Sequence, residues 1–372
     1  MHPSLEYMLV CCLAATGSLL LTPIVRRVAL RWGAVAHPRD RDVHAVDTPR
    51  LGGVALYAAV ALSIIVAHEL PTLHSTFADG SEAAGVLLAG GILVGVGALD
   101  DKYELDWLTK LAGQVTAAGS MVLVGGVQLA QVTLPWNHDT IIFGRDSGAP
   151  LTILFTVLTI NAVNFIDGLD GLAAGVTAIC ALAFFSYTYH LAQTGNFDVA
   201  AAPTLLAAAL AGACIGFLPH NFAPARIFMG DSGSMFVGLV LAAIATTAST
   251  RLDPQALTGL LGQVPLALSL LIPLSVLALP LVDFALAVLR RLRRGHSPFA
   301  PDREHLHHRL MEMGHSHRRA VLLLYFWAAV IAFGGVGVSF VRGMWFIVSI
   351  LAVLVALAIL LSMVPRLHAH RH

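Results

Sequence analysis

Four groups of polar residues interrupt an otherwise apolar chain. The first is Asp100-Asp101-Lys102, followed at helical spacing by Lys110 and Gln114. Two adjacent carboxylates facing a lysine suit a metal-phosphate group or the acceptance of a proton from a phosphate; taken alone they are equally an ordinary charged helix end. The second runs Asn161-Ala162-Val163-Asn164-Phe165-Ile166-Asp167-Gly168-Leu169-Asp170-Gly171. Its polar groups recur every third residue, as neighbours on a helix or tight turn do, and its glycines let backbone come close to a ligand. The third is Met229-Gly230-Asp231-Ser232-Gly233-Ser234. Backbone N–H groups at a helix start suit phosphate oxygens, and Asp231 suits Mg2+, which takes one or two carboxylates and completes its shell with substrate phosphates. Helix capping by Asp231 or Ser232 is compatible with that use. The fourth, Asp302-Arg303-Glu304-His305-Leu306-His307-His308-Arg309, gathers cations able to neutralise a pyrophosphate. Zinc ranks below phosphate here, since neither cysteine nor a His-Glu-x-x-His spacing accompanies the histidines.

The segments that must hold these groups belong in a bilayer. Of 372 residues 57% are hydrophobic and only 12% charged, far below the roughly quarter-charged content of soluble domains. Eleven apolar stretches approach the span of about 20 residues that crosses a membrane: 6–25, 53–67, 83–99, 107–124, 151–165, 172–190, 204–218, 234–250, 264–289, 319–340 and 344–364. The first has no basic segment ahead of it and is followed by Arg26-Arg27, so it reads as a retained span and not as a cleaved signal. Alternate loops differ in basic content: of the 22 Lys and Arg, all but Arg145, Arg251 and Arg342 fall on one side. The positive-inside rule then puts the N-terminus outside and the C-terminus in the cytoplasm. All four polar groups fall on that cytoplasmic side, where intramembrane carboxylates are costly unless used.

The expected fold is an all-α polytopic membrane protein of about 11 helices, a single domain over 1–372, with a cytoplasmic cleft and a small outside hairpin. The hairpin is expected from the alternation in 128–133 and 140–143. The ninth stretch carries Pro273 and Pro280, which kink or break a helix and would open a lateral groove for a lipid tail. Arg290, Arg291, Arg293 and Arg294 read as positive-inside anchors with snorkelling side chains. Cys11, Cys12, Cys180 and Cys214 lie within apolar stretches at no metal or redox spacing, and read as packing residues. Glycine-rich stretches such as 89–97 permit close helix contacts, within one chain or across a homodimer. Nothing in the sequence calls for a nucleic-acid partner. Two acidic groups and a His/Arg group on one face fit a reaction between two phosphorylated molecules, one of them lipidic, in which positioning does most of the work. A transporter is the alternative from another class, but carriers place ionisable groups near the midplane, often in inverted repeats, and no repeat is visible here.

With Asp100-Asp101, Lys110 and Gln114, the run 161–171, the run 229–234 and His305-Leu306-His307-His308 in this order, the chain resembles the polyprenyl-phosphate N-acetylhexosamine-1-phosphate transferases along nearly its whole length. The resemblance implies that UDP-N-acetylhexosamine and a polyprenyl phosphate give polyprenyl-diphospho-N-acetylhexosamine and UMP at the plasma membrane, with Mg2+ as cofactor and Mn2+ as a substitute. By residue match it implies that Asp231 with Asn164 holds the metal, Asp170 accepts the uracil N–H, and Lys110 contacts phosphate. Asp100 would deprotonate or position the lipid phosphate, and Asp101 and Asp167 would support the site. His305, His307, His308 and Arg303 would bind the sugar-linked diphosphate, with Asn161 and Gly168 completing the substrate site. His-Leu-His-His is similar to the WecA-type initiators of polysaccharide assembly, and differs from the three adjacent histidines of the MraY branch, which acts on a UDP-muramoyl-peptide. UDP-N-acetylglucosamine is therefore the implied donor, and the wording of the motifs is most like actinobacterial members. The chain departs from the family at Ala36-His37-Pro38, where an acidic residue commonly precedes the proline, and at Asp42, where a basic residue is usual; Arg41, His44 and Pro49-Arg50-Leu51-Gly52-Gly53 are retained.

Overall fold

The computed structural model describes residues 3–36, 47–77, 82–133, 140–193, 197–250, 268–294, 306–340 and 352–357. In chain order the helices are α1 (Pro3–Trp32), α2 (Gly52–His68), α3 (Glu82–Tyr103), α4 (Trp107–Gly125), α5 (Arg145–Ile166), α6 (Leu172–Gln193), α7 (Phe197–Asn221), α8 (Gly230–Thr250), α9 (Leu268–Val276), α10 (Ala278–Arg293), α11 (Leu306–Glu312) and α12 (His317–Phe340). Seven of them, α1, α3, α5, α6, α7, α8 and α12, are long and apolar enough to cross a membrane. The chain is a multi-pass helical membrane protein.

The eleven expected stretches do not all become such helices among the described residues. The second is α2, of only 17 residues. The fourth is α4, whose apolar character is diluted by Lys110, Gln114 and small polar residues. The ninth divides into α9 and α10 on either side of Leu277. Pro280 accounts for the break, since it has no N–H for the Val276 carbonyl and its ring crowds that oxygen. The eleventh stretch lies outside the described residues except at 352–357.

The centre of the bundle is α8, packed against α2, α3, α5, α6 and α7, with its apolar window wholly buried. Its sequence, rich in Gly, Ala and Ser on every side, has no polar face to turn outward, as a core span requires. Large apolar residues face outward elsewhere, among them Leu20 on α1 and Leu123 on α4, as helices bathed in lipid do.

The expected hairpin is present: β3 (Gln131–Thr133) pairs antiparallel with β4 (Thr140–Ile142), Val132 facing Ile141. A second antiparallel pair, β1 (Val35–Ala36) with β2 (Thr48–Pro49), was not expected from the sequence. Beyond it, Phe228 donates its N–H to the Pro49 carbonyl, and Gly52 and Gly53 donate theirs to Phe228 and Met229 (2.8, 3.1 and 3.0 Å). These bonds fasten the start of α2 beside the start of α8. At the other end of the bundle the buried Glu6 carboxylate accepts from Thr72 N, Thr72 Oγ1 and Leu73 N, which explains a carboxylate inside the first apolar stretch.

Two glycines set how closely α8 is approached. A Cβ on Gly53 would lie 2.1 Å from Gly233 N, and one on Gly97 would lie 2.4 Å from the Ser232 backbone. On α3 a Cβ at Gly95 meets nothing within 4 Å. Gly97→Ala is therefore expected to lower stability by at least about 1–3 kcal/mol, the usual range for overpacking, read as a fall in apparent unfolding temperature of the detergent-solubilised protein. Gly95→Ala should match or slightly exceed the parent; equal behaviour of the two variants would contradict the close approach.

Candidate active site

Three of the four polar groups singled out in the sequence, those around Asp100, Asn164 and Asp231, converge at the end of the bundle opposite the β3–β4 hairpin. Helices α3 and α4 run antiparallel, with Gly85 against Gly125 and Val96 against Gly113. Helix α3 continues through Tyr103, so Asp100 and Asp101 lie in its last turn and not after it. The α4 start is fixed by Asp106, whose carboxylate accepts from Leu108 N and Thr109 N (2.9 and 3.0 Å). That cap brings Lys110 into the first turn of α4, opposite Asp100.

The two adjacent aspartates do different things. Asp100 Oδ1 accepts from Leu105 N at 2.7 Å and closes the α3–α4 turn, while its Oδ2 meets Lys110 Nζ at 2.7 Å. Lys110 Nζ also reaches Asp231 Oδ2 at 3.0 Å. Asp101 points its carboxylate at the first turn of α8, accepting from Asp231 N (2.9 Å), Ser232 N (3.2 Å) and Ser232 Oγ (2.8 Å). It is a helix cap supplied by a different helix, placed where the dipole favours negative charge. Gly230, at φ +71°, allows this, because a Cβ there would strike the Asp101 carboxylate.

Asn164 on α5 donates from Nδ2 to Asp231 Oδ1 (3.1 Å) and to Ser234 Oγ (2.8 Å). One turn away, Asn161 Nδ2 donates to Gln114 Oε1 at 2.8 Å and to the Val157 carbonyl. This side-chain pair ties α5 to α4, so Asn161 is engaged in packing, a use the sequence did not disclose. Asp167 follows the last residue of α5, half-buried. Burial, then the neighbouring Asp231, Asp101 and Asp170 carboxylates, push its pKa up to about 8, against a smaller lowering by Arg50.

Gly168 is exposed in the turn after α5, whereas Asp170 is buried. Asp170 Oδ2 accepts from Ala225 N at 2.9 Å, and its own N–H donates to His317 Nε2 at 3.1 Å. The neighbouring Gly171 carbonyl accepts from the Tyr325 hydroxyl. Asp170 thereby anchors the 222–229 segment that leads into Asp231. Arg303 and His305 lie outside the described residues; His307 and His308 fall on α11.

A residue missed in the sequence reading sits behind that helix. Asp283 on α10, buried among Ile166, Leu172, Leu279 and Leu324, accepts from Leu306 N at 3.0 Å and so caps α11. The available signal was a single carboxylate in an otherwise apolar stretch. Arg291 departs from the anchor reading: it is 3% exposed, with its guanidinium 4.8 Å from the Phe165 ring centre.

Among the described residues no three His, Cys, Asp or Glu side chains are placed to hold a metal ion by themselves. The donor set nonetheless fits Mg2+, which is commonly held by one or two carboxylates with substrate phosphates completing the shell. Asp231 supplies the carboxylate, and Asn164 keeps its amide oxygen in reserve while its nitrogen is engaged. A cavity of about 660 Å³ lined by Glu82, Gln128, Phe143 and Thr247 lies at the opposite, hairpin end and contains none of these groups.

Fold and site together define a membrane-embedded helical protein with a carboxylate–lysine–amide centre at one end of its bundle. Residues 83–249 match the family model described as glycosyl transferase family 4. The chain is 44% identical to the decaprenyl-phosphate N-acetylglucosaminephosphotransferase of Mycolicibacterium smegmatis, over 95% of this chain and 89% of that one. It is 32% identical to a probable undecaprenyl-phosphate N-acetylglucosaminyl 1-phosphate transferase of Bacillus subtilis, over 82% and 78%. With the undecaprenyl-phosphate alpha-N-acetylglucosaminyl 1-phosphate transferase of Escherichia coli K12 it shares 28%, over 84% and 78%. The chain belongs to glycosyl transferase family 4.

Removing the α11 cap should loosen that helix locally. Asp283→Ala is expected to lower protection of the 306–312 amides in hydrogen exchange about fivefold, matching the roughly 1 kcal/mol of a lost cap, while Asp283→Asn, which keeps the acceptor oxygen, should lie near the parent. Equal protection in the alanine variant would refute the cap.

Proposed function

We propose that the chain transfers N-acetylglucosamine 1-phosphate from UDP-N-acetylglucosamine to a polyprenyl phosphate, giving polyprenyl-diphospho-N-acetylglucosamine and UMP, as an Mg2+-dependent enzyme of the bacterial plasma membrane. The convergence of Asp100, Lys110, Asn164 and Asp231 from four different helices carries this reading, in a chain whose relatives are named for that transfer. A centre at helix ends suits a reaction between a water-soluble nucleotide and a lipid whose phosphate lies at the interface. The basic loops support an outside N-terminus and a site facing the cytoplasm, where UDP-sugars are available.

In the proposed reaction an oxygen of the lipid phosphate attacks the phosphorus that bears the sugar. A new P–O bond forms there, and the P–O bond to the bridging oxygen breaks, leaving that oxygen with UMP. Asp100 positions the lipid phosphate, and Lys110 meets charge on the transferred phosphoryl group. Direct attack is favoured over an aspartyl intermediate, because a lipid phosphate is already anionic at neutral pH and requires alignment more than activation. Asp231 and Asn164 would hold Mg2+, which when bound neutralises the donor diphosphate. Asp101 orients Asp231 by capping α8, and Asp167 supports the site beside it. Asp170 holds the 222–229 segment and would receive the uracil N–H, with Asn161 fixing the α4–α5 spacing and Gly168 leaving its turn open to substrate. Arg303, His305, His307 and His308 would neutralise the sugar-linked diphosphate.

The purified protein with polyprenyl phosphate, Mg2+ and UDP-N-acetylglucosamine should release UMP and form lipid-linked sugar in equal amounts, and EDTA should stop both. Asp231→Ala should reduce the rate by at least about 10²-fold, the scale for losing one preorganised electrostatic contact. Turnover of a UDP-muramoyl-peptide in place of UDP-N-acetylglucosamine would reassign the donor, and no UMP from either would overturn the reading.

A further inference from the structure

We propose that Lys110 is the resting counter-ion of Asp231 and yields that place when a divalent cation binds, so that cation binding and release of Lys110 toward the donor's phosphates are one event. The inference rests on the reading that Asp231 takes a divalent cation, and adds to it an internal competitor.

The three partners differ in freedom. Asp231 is fixed by its backbone N–H to Asp101 and by Oδ1 to Asn164. Asp100 is fixed by Oδ1 to Leu105 N. Among the described residues the Lys110 ammonium is held by the two carboxylates alone, Asp100 Oδ2 at 2.7 Å and Asp231 Oδ2 at 3.0 Å, on a flexible four-carbon stem with three rotatable donors. Its side chain is 31% exposed, against 8% for Asp100 and 27% for Asp231, whose two further hydrogen bonds hold it in place. The lysine is therefore the member of the trio able to move.

A movable ammonium is also what the site's charge requires. Asp231, Asp100 and Asp101 gather around the start of α8. Carboxylates so close together repel strongly away from bulk water. Lys110 relieves this through its contact with Asp231, but a dication approaching Asp231 through Oδ2 meets the ammonium within a few ångströms, and the two repel. When the lysine swings away, still tethered at Asp100, the dication takes over neutralisation of Asp231, and the ammonium is free for a phosphate, for which lysine acts as a mobile point charge. Divalent binding without donor is weakened by this competition, and donor phosphates remove it.

Mn2+ binding to the detergent-purified full chain, followed by electron paramagnetic resonance of the free ion at fixed pH and ionic strength without any donor, tests this. Lys110→Met should bind Mn2+ at one site at least tenfold more tightly than the parent, Lys110→Arg should remain as weak as the parent, and Asp231→Asn should lose the site. Lys110→Gln, neutral and polar, serves as a second variant should the methionine protein fail to fold. Equal or weaker Mn2+ binding by the neutral variants, with an Asp231-dependent site still present, overturns the counter-ion role and leaves the metal assignment standing. No Asp231-dependent site in any of these proteins overturns the metal assignment itself, and the counter-ion role with it.

Discussion

The first turn of α8 has to satisfy two demands at once. It is the start of a helix buried on every side, so its free N–H groups need acceptors, and it carries Asp231, whose charge needs partners away from bulk water. Asp101 meets the first demand from the neighbouring α3, accepting two backbone N–H groups and a hydroxyl. Lys110 and Asn164 meet the second. The remaining contacts around the site follow from keeping those four residues in register.

Close approach is the condition for that register, and it explains glycines that look unremarkable in sequence. Gly53 on α2 and Gly97 on α3 lie against the backbone of Ser232 and Gly233, where a side chain of any size would push α8 away from Asp101. The Pro49–Gly53 motif then acts as a seam: its hydrogen bonds to Phe228 and Met229 hold the chain just before Asp231. Asp170 secures the same approach from the other side through Ala225. Two distant sequence motifs thus serve one short segment.

A second layer fixes the helices that carry the polar groups. The Gln114–Asn161 amide pair lies one helical turn from both Lys110 and Asn164, so the α4–α5 spacing is set by a directional contact where apolar packing alone would allow sliding. In a bilayer such a contact is sheltered from competing water, and its loss leaves a buried amide without its partner. Asp283 does comparable work for α11, joining the second half of a broken helix to the segment that carries His307 and His308.

How much of this was legible in the sequence follows the range of the interactions. Composition determined the environment, since 57% hydrophobic and 12% charged content leaves a chain no option but lipid. Local pattern determined the hairpin and the break near Pro280, because turn residues and the missing proline N–H act within a few positions. It did not determine the start of α8, which begins at Gly230 and not near 234 and is capped by Asp101 of α3 in place of the expected Asp231 or Ser232. Residue type at helix ends pointed to Asp100, Lys110, Asn164 and Asp231, because buried carboxylates are too costly to be incidental. The division of labour between neighbouring residues was decided only in three dimensions. Asp100 faces Lys110 while Asp101 faces α8, Asn164 turns to Asp231 while Asn161 turns to Gln114, and Asp283 caps a helix it never adjoins in sequence. These assignments depend on which helix packs across from each side chain, and a linear pattern of residue types does not record its partner.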